Sequence, residues 1–197
     1  LQRSIDVVRR LRGSRPAQAP RASADRLTPP SALQVPPTQS VPQTAAFIQH
    51  GVKVDPAAYV LQADRIIAGH YSLFHLDDCQ LGHPPQWNRD PLTGKVAPLV
   101  PAASLDYRDE RLVGNIKYLW EPNRHLHVPA LAQAYALTGE QQYANAVRMH
   151  IGSWIDQCPP GRGANWCSSL ELAIRLINWS IATELLGGYG RTPYARG

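Results

Sequence analysis

The sequence predicts an all-α domain preceded by a basic, extended arm, and three observations predict it. From about Trp120 onward, apolar residues recur at helical rather than alternating spacing in three successive stretches. Short connections marked by Gly139 and by Pro159-Pro160-Gly161 separate those stretches, as in an antiparallel helical array. Residues 1–30, by contrast, hold seven arginines against Asp6 and Asp25, which is the whole net charge of +5; residues 31–197 balance thirteen basic with thirteen acidic groups.

In chain order, residues 1–12 can make a short helix with Ile5, Val8 and Leu11 on one side, ended by Gly13 and Pro16. Residues 16–42 are rich in Pro, Ala, Ser, Gln and Thr, a composition that favours extended, solvated chain over a core. The expected division is a disordered basic Pro-rich arm and linker over 1–50 and the folded domain over 51–197. Residues 56–69 read as a helix carrying Tyr59, Leu61, Ile66 and Ile67, stopped at Gly69.

From His70 to Asp109 the chain reads as a small loop- and β-rich segment, with strand-like pieces at 70–76 and 96–100 among turn residues. His70, His75, Asp77, Asp78, Cys79 and His83 are zinc-compatible types at no zinc spacing, so no metal is expected. The run Trp87-Asn88-Arg89-Asp90-Pro91 sets an aromatic plane beside an Arg–Asp pair, suited either to stacking on a sugar or to stapling the loop onto the helices.

Trp120-Glu121-Pro122-Asn123-Arg124-His125 is expected to open a helix that runs through Leu131 and Leu137 to Gly139. Pro129 should kink that helix or delay its start. A second helix, from 140 to about 157, places Tyr143, Val147, Ile151, Trp154 and Ile155 on one face. The third begins near Ser168, where Ser168 and Glu171 have capping-box spacing. Its apolar residues Leu170, Ala173, Ile174, Leu176, Ile177, Trp179 and Ile181 surround most of the helix, while Glu171, Arg175 and Asn178 form one narrow polar stripe; a helix of this pattern is expected to be mostly buried.

The chain has no apolar run of about 18 residues, so no membrane span is expected. The first residues lack the order of a signal peptide. Cys79, Cys158 and Cys167 read as free thiols, with a Cys158–Cys167 bridge open in an oxidising compartment. A basic arm can touch nucleic acid, anionic lipid or an acidic polymer, but the favoured reading is a solvated arm with no partner, and no nucleic-acid partner is expected.

An up-down array puts the clusters Trp120–His125 and Asn165-Trp166 at one end, each at the start of a helix, where free N–H groups favour anions. The candidate substrate-binding set is therefore Trp120 and Trp166 for stacking, Asn123 and Asn165 for hydrogen bonding, Arg124 and Arg175 for an anionic group, and His125 beside them. The same residues also serve as ordinary caps, core aromatics and an i, i+4 pair.

The runs QWNRDPLTG, WEPNRHLHVPALAQAYALTGEQQYANAV and SWIDQCPPGRGANWCSSLELAIRLINW resemble, in order, the N-terminal helical domain of heparinase II/III-type polysaccharide lyases, a group that includes alginate lyase relatives. The resemblance covers roughly Ala68 to Leu186. It implies an incomplete α/α toroid, β-elimination on a uronate-containing polysaccharide, no cofactor, and a periplasmic or secreted location. It also implies that the carboxylate neutraliser, the tyrosine and a further histidine lie beyond Gly197. The catalytic residues are therefore unknown, and the chain is expected to be the inactive N-terminal portion of a longer protein. Two alternatives stand beside this reading. One is a non-catalytic protein that binds or scaffolds an anionic glycan; the other is a glycoside hydrolase using Glu121 and Glu171 across a cleft.

Overall fold

A computed structural model describes residues 41–51 and 55–187. The expectations for residues 1–40 lie outside the described residues. The described chain is mostly helical, with one small antiparallel sheet.

Helix α1, Val41–Gly51, falls within what the sequence reads as the arm, and Gln49 ties it down by donating to the Leu137 carbonyl at 2.6 Å. Helix α2, Pro56–Ile67, starts where expected because the Asp55 side chain accepts from the Ala57 N–H and Pro56 occupies the first turn. Strands β1, His70–Leu73, and β2, Leu76–Gln80, pair antiparallel with His70 opposite Gln80. The expected strand at 96–100 reduces to a bridge between Arg89 and Val96, since Pro98 and Pro101 have no N–H to give a ladder.

Asp90 organises the loop that follows. Its fully buried carboxylate accepts from the N–H groups of Leu92, Thr93 and Asn115 and from the Thr93 hydroxyl. Gly114, at φ 74°, lies directly against that carboxylate, where any Cβ would collide with it. The one-turn helix α3, Glu110–Val113, thus ends on the loop, and helix α4, Ile116–Asn123, begins from it with Asn115 as its cap.

Helix α5, His127–Thr138, is the hub, packing against α1, α2, α6 (Gln141–Gln157) and α7 (Ser169–Leu185). Its buried face is built from Val128, Ala130, Leu131, Ala132 and Ala134, and the small alanines let neighbouring helices come close. Around it gather Ala63, Ile66, Tyr71, Leu73, Tyr143, Val147, Ala182 and Leu186. Burying each of the larger aliphatic side chains contributes about 1.5–3 kcal/mol. Gly139, at φ 74°, ends α5 in the left-handed conformation, and the two-residue link to α6 folds the pair antiparallel.

Candidate functional site

The three stretches singled out in the sequence interlock around the carbonyl of Trp87. That oxygen accepts from Asn123 Nδ2 at 2.8 Å and from Asn165 Nδ2 at 3.2 Å. Asn123 also donates to Leu119 O at 2.7 Å and accepts from Trp154 Nε1 at 2.7 Å. Trp120 Nε1 donates to Ala164 O at 3.0 Å, which brings the two polar-aromatic clusters to one place. Trp87 itself is 1% exposed and donates to Ser153, so the WNRDP loop is stapled to α6, and the sugar-stacking option for that tryptophan falls away.

The chain breaks between α4 and α5, and α7 repairs the break. Asn123 and Arg124 present carbonyls that helix geometry leaves unpaired at the α4 end. Arg175 Nε donates to Asn123 O at 2.7 Å and Asn178 Nδ2 to Arg124 O at 2.9 Å, placing a cation where the helix dipole favours one. The Arg124 guanidinium grips Glu171 with two bonds, at 2.8 and 2.9 Å, and Glu121 with a third at 2.6 Å. The Glu171 pair, first of all, holds Arg124 above its usual range. Burial lowers Arg175 to about 10, and its guanidinium carbon sits 4.0 Å from the Trp154 ring centroid. His125, at φ 60°, makes the turn itself, its Nδ1 accepting from Trp179 Nε1 at 2.7 Å.

Four expectations are corrected here. Trp120–His125 closes α4 instead of opening a helix, because Pro129 and the left-handed His125 delay α5 to His127; that cluster therefore meets the negative end of a helix dipole. Glu171 accepts no bond that would complete the capping box: Ser168 caps the Glu171 N–H, but the Glu171 carboxylate is taken by Arg124. Glu121 and Glu171 share one arginine and do not face each other across a cleft, which removes the glycosidase arrangement. On α7 it is the polar stripe Glu171, Arg175 and Asn178 that is buried, whereas Leu170, Leu176, Ile177 and Ile181 are exposed.

Of the seven candidate residues, Asn123, His125, Asn165 and Arg175 are buried, while Trp120, Arg124 and Trp166 keep part of their surface in solvent. Among the described residues, four buried polar atoms have no hydrogen-bond partner: His125 Nε2, Asn165 Oδ1, Arg175 Nη2 and the Tyr71 hydroxyl. The cysteines are free, and burial raises the Cys158 thiol to about 11, so it is no nucleophile at neutral pH. Among the described residues no cluster could hold a metal ion; His70 and Arg65 instead both bond Asp78. The same residues include no helix long and apolar enough to cross a membrane.

Two features escaped the sequence. An open pocket of about 420 Å³ lies beside the loop, walled by Gln80, Gln86, Arg89, Asp90 and Pro122 among others. Three histidines, His83, His127 and His150, hydrogen-bond in series inside the helical core. They stand too far apart in sequence to form a motif; the available signal is that His150 shares the helical spacing of the buried Tyr143, Val147 and Trp154.

No family model matches the chain, and neither a curated protein nor a solved structure is similar to it.

Proposed function

We propose that this chain is the N-terminal portion of a polysaccharide lyase of the heparinase II/III type, cleaving a uronate-containing polysaccharide by β-elimination. One observation carries the reading. The three stretches that bear the resemblance converge on a single backbone oxygen, that of Trp87, through Asn123 and Asn165. Under this reading α5, α6 and α7 are the first part of an α/α toroid, and the outward stripe of Leu170, Leu176, Ile177 and Ile181 receives the next helices of the ring.

The elimination needs a neutralised carboxylate to acidify the C5 proton, a base to remove it, and an acid for the leaving oxygen. None of these roles is assigned to a described residue. The partly exposed Trp120, Arg124 and Trp166 are assigned to glycan contact, and Asn123, His125, Asn165 and Arg175 to holding them in place. Calorimetric titration with uronate oligosaccharides tests this assignment. Trp120→Ala should weaken binding about tenfold, equal to about 1.4 kcal/mol, and an unchanged affinity contradicts it.

A second reading is a non-catalytic protein that binds anionic glycan through the partly exposed Trp120 and Trp166. Retained binding without turnover in the full natural polypeptide favours it.

A further inference from the structure

The inner ring of the histidine series bonds only to other imidazoles. His150 Nε2 lies 2.8 Å from His83 Nδ1, and His150 Nδ1 lies 3.0 Å from His127 Nε2. His83 is partly exposed beside the first turn after β2, His150 is fully buried on α6, and His127 is 8% exposed at the start of α5. At its far end the series reaches a second pocket of about 140 Å³, walled by Gln62, Arg65, Ile66, His70, Tyr71, Ser72, Leu126 and His127. The path therefore runs from one surface, through the core, to a separate cavity.

The geometry constrains the protons. A neutral imidazole carries one N–H and one lone pair, so each of the two bonds needs a donor on one side and an acceptor on the other. If His83 donates through Nδ1, His150 must accept at Nε2 and donate through Nδ1, and His127 must accept at Nε2 and carry its own proton on Nδ1. In the opposite sense all three protons sit on Nε2. No mixed arrangement keeps both bonds. The rings are neutral in either state: burial brings His127 to about 3 and His150 to about 2, and lowers His83 as well.

We propose that His83, His150 and His127 form a proton-transfer site whose three rings share one tautomer and pass a single proton between solvent at His83 and water in the pocket at His127. In the forward stroke a proton from water binds His83 Nε2. The Nδ1 proton of His83 moves to His150 Nε2, the Nδ1 proton of His150 moves to His127 Nε2, and the Nδ1 proton of His127 leaves to pocket water. One proton enters, one leaves, and all three rings change from Nδ1–H to Nε2–H. Resetting the site takes the reverse stroke, because the rings pack too closely to turn over freely: Trp87 lies 5.9 Å from both His127 and His150, and the edge of Tyr71 meets His127 at 5.3 Å. The other titratable groups nearby are His125, 5.4 Å from His127, Tyr71, whose ring lies 5.3 Å from His127 and whose hydroxyl burial keeps protonated, and Arg65 and His70 in the pocket wall, which share Asp78. His125 stands outside the series, since the Trp179 N–H occupies its Nδ1 and fixes its proton on Nε2.

Nitrogen NMR of the whole chain labelled at histidine reads each tautomer directly. Equal tautomer populations at His83, His127 and His150, with His125 wholly Nε2–H, are the expected result. Unequal populations among the three, or opposite tautomers at two neighbours, overturn the proposal. His83→Phe should shift the tautomer balance at His127, two rings away, and leave His125 unchanged; a His127 spectrum indifferent to His83 also overturns it. If the phenylalanine variant does not fold, His83→Gln, whose amide can serve His150 as donor or acceptor, replaces it, and the wild-type populations decide independently of both.

Discussion

Arg124 and Glu171, 47 residues apart in sequence, meet in a two-pronged ion pair, Nε to Oε2 at 2.8 Å and Nη2 to Oε1 at 2.9 Å. The Glu171 side chain is 3% exposed and that of Arg124 27%, so the carboxylate is the partner that burial would punish if left alone. The pair fastens the end of α4 to the first turn of α7, where Arg175 and Asn178 also bond the carbonyls of Asn123 and Arg124.

Removing the arginine should therefore cost more than removing both partners. Arg124→Ala is expected to destabilise the fold by about 3–5 kcal/mol, because it strands a buried charge. The double variant Arg124→Met with Glu171→Leu should recover much of that loss. Urea unfolding midpoints of the natural protein and the two variants check the prediction, and a double variant no more stable than Arg124→Ala contradicts it.

Asn123 serves three partners at once, donating to Trp87 O and Leu119 O and accepting from Trp154 Nε1. Asn123→Ala leaves the buried Trp154 N–H without its acceptor and Trp87 O with Asn165 alone, a loss of about 1–3 kcal/mol. Asn123→Asp should be at least as damaging, since a carboxylate cannot donate to the two carbonyls. The measurement is again the unfolding midpoint, with near-ultraviolet circular dichroism reporting the tryptophan cluster.

Acid should unfold the protein through its histidines. Burial holds His125 well below its usual range, His127 at about 3 and His150 at about 2, whereas the same groups titrate near 6.5 in the unfolded chain. Between those limits the unfolded state binds more protons, so their contribution is complete above about pH 6.5 and is lost as the pH falls toward 3. His127 and His150 each contribute a slope of roughly 1.4 kcal/mol per pH unit over that window. Melting temperature followed from pH 7.5 downward should fall steeply below about 6, and a flat profile to pH 4 counts against neutral burial.

The outward stripe of α7 should govern association more than stability. Ile177 is 58% exposed and Leu176 60%, so Ile177→Ser should change the unfolding free energy by less than about 0.5 kcal/mol. The same change should reduce concentration-dependent association, read by sedimentation velocity. A large loss of stability instead means that this face is packed within the monomer.

Ends of α2, α5, α6 and α7 are legible in the sequence because Gly69, Gly139, Pro159 and Ser168 act through local chemistry. The orientation of α7 is not. Its apolar residues outnumber its polar ones, yet the polar stripe turns inward because the broken joint at Arg124–Leu126 needs donors for its carbonyls. That joint depends on His125 adopting a left-handed turn, a choice the sequence does not mark. The meeting of Trp120 with Asn165-Trp166 was readable from helix order, but the burial of Asn123, His125, Asn165 and Arg175 was not, since it follows from how the loop carrying Trp87 folds over them.

The most direct test of the proposed lyase is an elimination assay on the full natural polypeptide that carries this sequence, run beside the present chain. Alginate, heparan sulfate and hyaluronan are the substrates, and the ultraviolet absorbance of the unsaturated uronate product is the signal. Absorbance is expected to grow with at least one polymer for the full polypeptide and not for this chain alone. No growth with any polymer from the full polypeptide contradicts the lyase, and growth from this chain alone contradicts the placement of its catalytic groups elsewhere.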